Sequence, residues 1–168
     1  PIRDMRVFAG EVVQAQALCG GRLVLGVGKG AFGFETGRIG VPMEETKPRF
    51  EESLAVLEAL LTREEVSWHG DWYRFDALTA MPRPEDPIPL ALAIMAPPGI
   101  EAAAAKGYHI QTTPLSASHG VLEGQVAAFH RGVAASGKTG QRLSLQRGIF
   151  VSDHAAEVED MLAKAYRY

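Results

Sequence analysis

Residues 20–33 read GGRLVLGVGKGAFG, and this stretch decides the fold. The segment Arg22–Val27 is rich in Leu and Val and alternates little, which predicts a short strand buried on both faces, as in parallel sheets. It runs into Gly28, Lys29 and Gly30. The glycines let the backbone pass close to a bulky group, and the lysine supplies one positive charge. Because ligands of α/β folds bind at the carboxyl ends of strands, these three residues are predicted to bind a ligand.

Composition predicts one domain and a small-molecule partner. The 168 residues are 46% hydrophobic, enough for a full core, so we expect a single domain over residues 1–168. Acidic and basic residues are interspersed, with a net charge of -3, which gives neither a basic stripe for nucleic acid nor a polybasic membrane anchor. The single Cys19 has no internal disulfide partner, and no apolar run reaches about 20 residues. We therefore expect a cytoplasmic protein.

Hydrophobic periodicity places strands and helices in alternation. A hairpin is predicted over Val66–Phe75, around Gly70 and Asp71, whereas residues 34–48 show no clean period and are interpreted as a long loop. Further strands are predicted at Leu90–Met95, Tyr108–Thr113 and Leu143–Val151, with helices at Met5–Leu18, Pro48–Leu61, Pro97–Lys106 and Val121–Ala135 and from Ala155 onward. Such alternation is typical of an α/β fold with a parallel sheet and helical crossovers.

Two glycine motifs require their structural context before they are interpreted. Residues 132–139, GVAASGKT, match the phosphate-loop pattern, but a helix precedes them and a strand follows, which is the reverse of the required order. We interpret them as a helix end and a turn. Residues 28–33 match G-x-G-x-x-G after a strand, but Arg38, Gly40 and Pro42 are expected to prevent the helix that would receive a pyrophosphate. A dinucleotide fold is therefore disfavoured.

Few polar residues suggest further chemistry. The five histidines show no i, i+4 pairing and Cys19 has no second cysteine beside it, so no metal site is predicted. His109 lies in a predicted strand, where a satisfied histidine is the favoured interpretation over one that faces a cavity. Glu35 and Arg38, just after the glycine turn, are the charged residues best placed to reach a ligand, with a solvated loop as the alternative.

Several ordered motifs carry a resemblance to a known family. The succession GGRLVLGVGKGAFGFETGRIGVP, RFEESLAVLEALL, VSWHGDWYRF, PRPEDPIPLALA and EAAAAKG resembles the bacterial luciferase-like, flavin-dependent monooxygenases, closely over residues 1–113 and more loosely beyond. The resemblance implies a (β/α)8 TIM barrel. Such barrels take about 250 residues, so an incomplete barrel, its central to C-terminal part, is expected here.

The resemblance also implies a cofactor and residues that hold it. The cofactor would be reduced FMN used with oxygen, or in sister groups a deazaflavin coenzyme, and a flavin reductase is an expected partner. Lys29 falls where bacterial luciferase has a basic residue near the flavin phosphate, and Glu35 falls where it has an acid. Met95, Ala96 and Gly99 fall where relatives place hydroxyls on that phosphate, so backbone N–H groups of Ala96, Gly99 and Ile100 are the groups left to contribute.

The function implied is that of a flavin-dependent oxidoreductase or monooxygenase acting on a small organic substrate. No catalytic residue is assigned, because the early strands that carry such residues in the family are not in this sequence. The alternative from another class is a non-catalytic barrel remnant that serves binding or assembly. Because a partial barrel leaves strand edges open, self-association is also expected.

Overall fold

The computed structural model describes residues 3–115, 119–147 and 149–165. The chain divides into two compact units, Pro1–Ala93 and Ile94–Tyr168. The first unit contains α1 (Met5–Leu18), β1 (Leu25–Val27), α2 (Gly33–Arg38), α3 (Met43–Thr62), β2 (Val66–His69), β3 (Arg74–Leu78) and β4 (Leu90–Ala93). The second contains α4 (Pro97–Lys106), β5 (His109–Thr112), α5 (His119–Ser136), β6 (Leu143–Leu145) and α6 (Ala155–Ala165). Whether the chain is a single domain stays a prediction.

Helix α1 begins and ends where the sequence signals predict. Asp4 is its N-cap, and the Asp4 carboxylate accepts a hydrogen bond of 2.9 Å from the backbone N–H of Arg6. At the other end Gly20 and Gly21 adopt φ of +58° and +78°, a conformation that stops a helix. The apolar face of α1 packs with that of α3 to form most of the core of the first unit, together with Val66 and Ala80.

Each unit contains one parallel pair of strands. In the first unit Leu25 of β1 is in register with Leu90 of β4, and in the second Ile110 of β5 is in register with Leu143 of β6. The four strands lie where the sequence predicts strands, and both pairings have the predicted direction. The α/β class with parallel strands and helical crossovers is thereby confirmed.

Strand β1 differs from its prediction in length and in burial. It begins at Leu25 rather than Arg22, and it is not buried on both faces. Leu23, Leu25 and Val27 pack against the core, whereas Val24 is 52% exposed and Gly26 is exposed too. The side chains therefore alternate with period two, and in the first unit the strand is covered on one face only.

The interpretation of residues 34–48 as one long loop was wrong. Residues 33–38 form the short helix α2, so a helix does follow the G-x-G-x-x-G motif, and α3 begins at Met43. Pro48 lies inside α3 instead of starting it, and Pro42 holds the N-cap position. A proline removes one backbone donor. Glu44 and Glu45 in the first turn interact favourably with the helix dipole, and Arg49 pairs with Glu45. These local interactions offset the hydrogen bond lost at Pro48.

The predicted hairpin is confirmed, and β2 and β3 pair antiparallel with a register shift between Val66 and Trp68. Its tip is fastened to α3 by one carboxylate. Glu52 accepts hydrogen bonds from Nε1 of Trp68 and from the backbone N–H groups of Asp71, Trp72 and Tyr73, at 3.0 to 3.3 Å. Gly70 is required there, because a Cβ would lie 2.0 Å from Oε1 of Glu52.

In the second unit, helices α4 and α5 approach closely. A Cβ on Gly132 would lie 2.4 Å from the carbonyl oxygen of Glu101 and 2.7 Å from the Cβ of Ala104, so only glycine allows this contact. Arg131 pairs with Glu101 across the same contact at 2.8 Å. Strand β6 ends at Leu145 and is shorter than predicted, and Ile149 and Val151 beyond it are more than 80% exposed.

Residues 132–139 form the end of a helix and a turn, as interpreted. Helix α5 runs to Ser136, Gly137 has φ of +63°, and β6 follows. The Nζ of Lys138 donates a hydrogen bond of 2.9 Å to the carbonyl oxygen of Lys106, the last residue of α4. The lysine of this motif therefore caps a neighbouring helix.

Candidate functional site

The first unit contains a pocket of about 220 Å³ at the carboxyl end of β1, which we call the glycine pocket. Residues 26–30 form one wall, and the other walls come from α1, α3 and the segment between α2 and α3. Its apolar lining residues are Met5, Phe8, Val27, Ile39, Val41, Phe50, Leu54 and Leu57. A pocket of this size and character fits part of a cofactor or a small ligand, since whole ligand sites are usually about 300–1,000 Å³.

Lys29 lies on this pocket between two glycines that cannot be replaced without strain. Gly30 has φ of +90°, and a Cβ there would lie 3.0 Å from Cγ2 of Thr36. A Cβ on Gly28 would lie 3.3 Å from that of Ala93. The Lys29 ammonium donates to the carbonyl oxygen of Gly30 at 3.3 Å, and in the described part of the chain no carboxylate pairs with it. Its charge is thus available to an anion.

The structure does not place Glu35 with these residues. Glu35 lies in the first turn of α2, its side chain is exposed, and it does not line the glycine pocket. The guanidinium of Arg38 lies 5.9 Å from the centroid of the Phe34 ring, so that charge is engaged by an aromatic face. The residue of α2 that lines the pocket is instead Thr36, which is buried.

The three remaining predicted residues lie in the second unit, at the start of α4. Ala96 is the N-cap and has no side chain that could cap the helix, and Pro97 and Pro98 have no N–H group. The N–H of Ile100 donates to the carbonyl oxygen of Ala96 at 3.0 Å, and the Ile100 side chain is fully buried. The Ile100 amide is thus used within the helix, and its role toward a ligand stays a prediction. The backbone N–H of Gly99 lies in the first turn of α4, where a helix provides no carbonyl acceptor of its own.

A second pocket of about 210 Å³ adjoins the glycine pocket and was not predicted from the sequence. We call it the arginine pocket. It is lined by Arg3, Asp4, Arg6, Arg49, Ser53, Trp72 and Tyr73, and it shares Arg3 and Ser53 with the glycine pocket. These residues come from the start of α1 and the two residues before it, from α3 and from the hairpin, so only the folded chain brings them together.

The arginine pocket has charged groups and hydroxyls in fixed positions. Arg6 donates to the Asp4 carboxylate, and these hydrogen bonds hold the pKa of Asp4 below its usual range. Arg49 donates to Glu45 through Nε and Nη2, at 2.9 and 2.6 Å. The hydroxyls of Ser53 and Tyr73 are 3.0 Å apart.

His109, a further candidate residue from the sequence, has a structural role. Nδ1 of His109 accepts a hydrogen bond of 2.9 Å from the N–H of Arg142, so the interpretation as a satisfied histidine is confirmed. Within residues 3–115, 119–147 and 149–165, no three His, Cys, Asp or Glu side chains lie where they could hold a metal ion. In the same ranges no helix has the length and apolar character needed to cross a membrane.

Comparisons with known proteins identify relatives of this chain. The F420-dependent glucose-6-phosphate dehydrogenase of Beutenbergia cavernae is 32% identical over 165 residues, which cover 92% of this chain and 49% of that protein. The chain thus spans about half the length of this curated relative.

Solved structures share the fold. Monooxygenase RslO1 from Streptomyces bottropensis superposes with a TM-score of 0.83 at 21% identity, over 99% of this chain and 53% of that one. The oxygenating constituent of 3,6-diketocamphane monooxygenase from Pseudomonas putida, solved with FMN, gives a TM-score of 0.76 at 15% identity, over 96% and 49%. The chain has the α/β fold of these luciferase-like barrels in part.

The family model described as luciferase-like monooxygenase matches residues 1–168, the whole of the sequence. The chain therefore belongs to the luciferase-like monooxygenase family.

Proposed function

We propose that this chain forms part of an oxidoreductase that binds a phosphate-bearing flavin, FMN or a deazaflavin, through Lys29. The observation that carries the proposal is Lys29 itself, an ammonium without a carboxylate partner in the described residues, held between two glycines at the carboxyl end of a parallel strand. A phosphate group needs such a charge and room for its oxygens.

The residues present fit the phosphate end of such a cofactor. Ala93 and Thr36 pack against Gly28 and Gly30, at 3.3 and 3.0 Å from where a Cβ would lie, so the backbone on both sides of Lys29 is held in place. Within the first unit, we assign the recognition of the phosphate to Lys29.

When bound, the flavin or deazaflavin ring would supply the redox chemistry. The chain would bind the phosphate at Lys29, and the apolar walls of the glycine pocket would exclude water from the space beside it. The proposal includes a small organic molecule as the substrate, and a cofactor that is either FMN or a deazaflavin. The curated relative supports a deazaflavin, because it is named as F420-dependent, and the diketocamphane enzyme supports FMN.

The test is a titration of the purified chain with FMN and, separately, with the deazaflavin F420, followed by cofactor fluorescence. Saturable binding of one of them supports the proposal and identifies the cofactor. A control with riboflavin, which has no phosphate, should bind more weakly. If neither FMN nor F420 binds, the proposal is wrong and the alternative, a barrel remnant without cofactor, is favoured.

A further inference from the structure

The turn that carries Lys29 is supported by one buried residue of α2. Thr36 is 4% exposed and lines the glycine pocket. A Cβ on Gly30 would lie 3.0 Å from Cγ2 of Thr36, so this methyl group packs directly against the backbone of Gly30. Gly30 has φ of +90°, and a glycine can leave such a conformation easily unless a neighbour restrains it. The methyl group of Thr36 is such a restraint.

Thr36 is itself held in place through its backbone. Its N–H donates to the carbonyl oxygen of Phe32 at 3.1 Å. Its carbonyl oxygen accepts hydrogen bonds from the N–H groups of Ile39 and Val41, at 3.2 and 2.9 Å. The methyl group therefore contacts Gly30 from a fixed position.

The position of Gly30 affects the Lys29 ammonium directly. The Nζ of Lys29 donates to the carbonyl oxygen of Gly30 at 3.3 Å, so a shift of Gly30 moves the group that the ammonium contacts. A side chain that is already ordered loses less conformational entropy when a ligand binds. Restraint of Gly30 by Thr36 therefore favours the binding of an anion at Lys29.

We propose that Thr36 is a positioning residue for the cofactor phosphate, acting through Gly30 and Lys29, and that its methyl group carries this role. The Thr36 hydroxyl contributes less, because its contacts are long. They are 3.4 Å to the carbonyl oxygen of Gly33 and 3.9 Å to Sδ of Met43. The inference rests on the proposed function, since it requires a phosphate at Lys29.

The experiment is a titration of the parent chain and Thr36→Ser with FMN and with riboflavin, followed by flavin fluorescence. Thr36→Ser keeps the hydroxyl and removes the methyl group. We expect it to weaken FMN binding by about threefold to tenfold, a part of the loss expected when Lys29 itself is removed, and to change riboflavin binding by less than about twofold. If the chain binds F420 and not FMN, F420 and its phosphate-free deazariboflavin are the matched pair.

Two further variants separate the methyl group from the hydroxyl and from packing in general. Thr36→Val keeps a methyl group against Gly30 and should bind FMN within about twofold of the parent. Thr46→Ser removes a methyl group from a buried threonine of α3 that does not line the glycine pocket, and it should change the affinity of neither flavin. Urea unfolding of each variant measures the loss of stability separately from the loss of affinity.

A double variant tests whether Thr36 acts through Lys29. In the Lys29→Ala background, Thr36→Ser should cause no further loss of FMN affinity, because the group that Thr36 positions is then absent. A loss of the same size in both backgrounds would overturn the inference.

Three other results would also overturn it. An unchanged FMN affinity in Thr36→Ser would show that the turn does not need the methyl group. An equal loss of riboflavin affinity would show that Thr36 acts on the pocket as a whole, and an equal loss of FMN affinity in Thr36→Val would assign the effect to the hydroxyl. Lys29→Ala distinguishes these failures from failure of the proposed function. If Lys29→Ala weakens FMN and not riboflavin, the proposed function holds whatever Thr36 does, and if it shows no such difference, both proposals are wrong.

Discussion

The carboxylate of Glu52 accepts a hydrogen bond of 3.1 Å from Nε1 of Trp68, and the two residues lie on different elements, α3 and β2. The same carboxylate also accepts the three backbone N–H groups at the tip of the hairpin. The Glu52 side chain therefore fixes the positions of Trp72 and Tyr73, which form one wall of the arginine pocket.

Removal of this carboxylate should loosen the hairpin. We expect Glu52→Ala to lower the free energy of unfolding by about 1.5–3 kcal/mol, the range for hydrogen bonds to a charged group, with a smaller loss for Glu52→Gln. Urea unfolding followed by tryptophan fluorescence measures both. Glu51→Gln, an exposed neighbour on the same helix, should stay within about 0.5 kcal/mol of the parent.

Gly70→Ala should have much of the same effect, because its Cβ would occupy the position of Oε1 of Glu52. Since both changes displace one carboxylate, their effects on the free energy of unfolding should not add in the double variant. If the two losses of unfolding free energy add in the double variant, Gly70→Ala acts through the backbone of residue 70 and not by displacing the Glu52 carboxylate.

Lys138 should stabilise α4 and bind no nucleotide. Its Nζ donates to the carbonyl oxygen of Lys106, so Lys138→Ala should cost about 0.3–1 kcal/mol in urea unfolding, as for other cations at helix ends. Calorimetric titration with ATP should give no binding in the micromolar range. A micromolar affinity that disappears in Lys138→Ala would refute this assignment.

Asp4 should make stability depend on acid pH. Its pKa is lowered in the folded chain by hydrogen bonds from the Arg6 side chain, with the backbone N–H of Arg6 as a further donor. The stabilisation is present above the ordinary pKa of Asp, about 3.9, and is lost as the pH falls through the lowered value. Asp4→Asn keeps a cap acceptor and should flatten this part of the curve of unfolding free energy against pH. An unchanged slope between pH 5 and about 2 would contradict the role of Asp4.

Local signals in the sequence were sufficient for most elements. Asp4 before α1, the glycines after it and the alternating residues of the hairpin are short-range features, and each predicted its element. The start of α3 was predicted at Pro48 because proline is usual at the first position of a helix. In the structure Pro42 precedes the first turn, and α3 tolerates the backbone hydrogen bond that Pro48 cannot make.

Only the part of the candidate site that is contiguous in the sequence could be predicted. Residues 28–30 follow one strand, so their pattern could be interpreted directly. The arginine pocket joins Arg3, Arg49 and Trp72, which are far apart in sequence and meet only when α1, α3 and the hairpin pack. The amide of Ile100 donates to the carbonyl oxygen of Ala96 in the first turn of α4, a hydrogen bond that residue types alone do not show.

The central claim, that Lys29 binds the phosphate of the cofactor, is tested most directly by titrating FMN and riboflavin into the parent chain and Lys29→Ala, followed by flavin fluorescence. One charge-assisted hydrogen bond contributes about 1.5–3 kcal/mol, so FMN affinity should fall by roughly 10- to 150-fold. Riboflavin affinity should hardly change, and Lys47→Ala, an exposed lysine outside the pocket, should change neither. An equal loss for both flavins would contradict the claim, because Lys29 would then act on the ring or on folding and not on the phosphate.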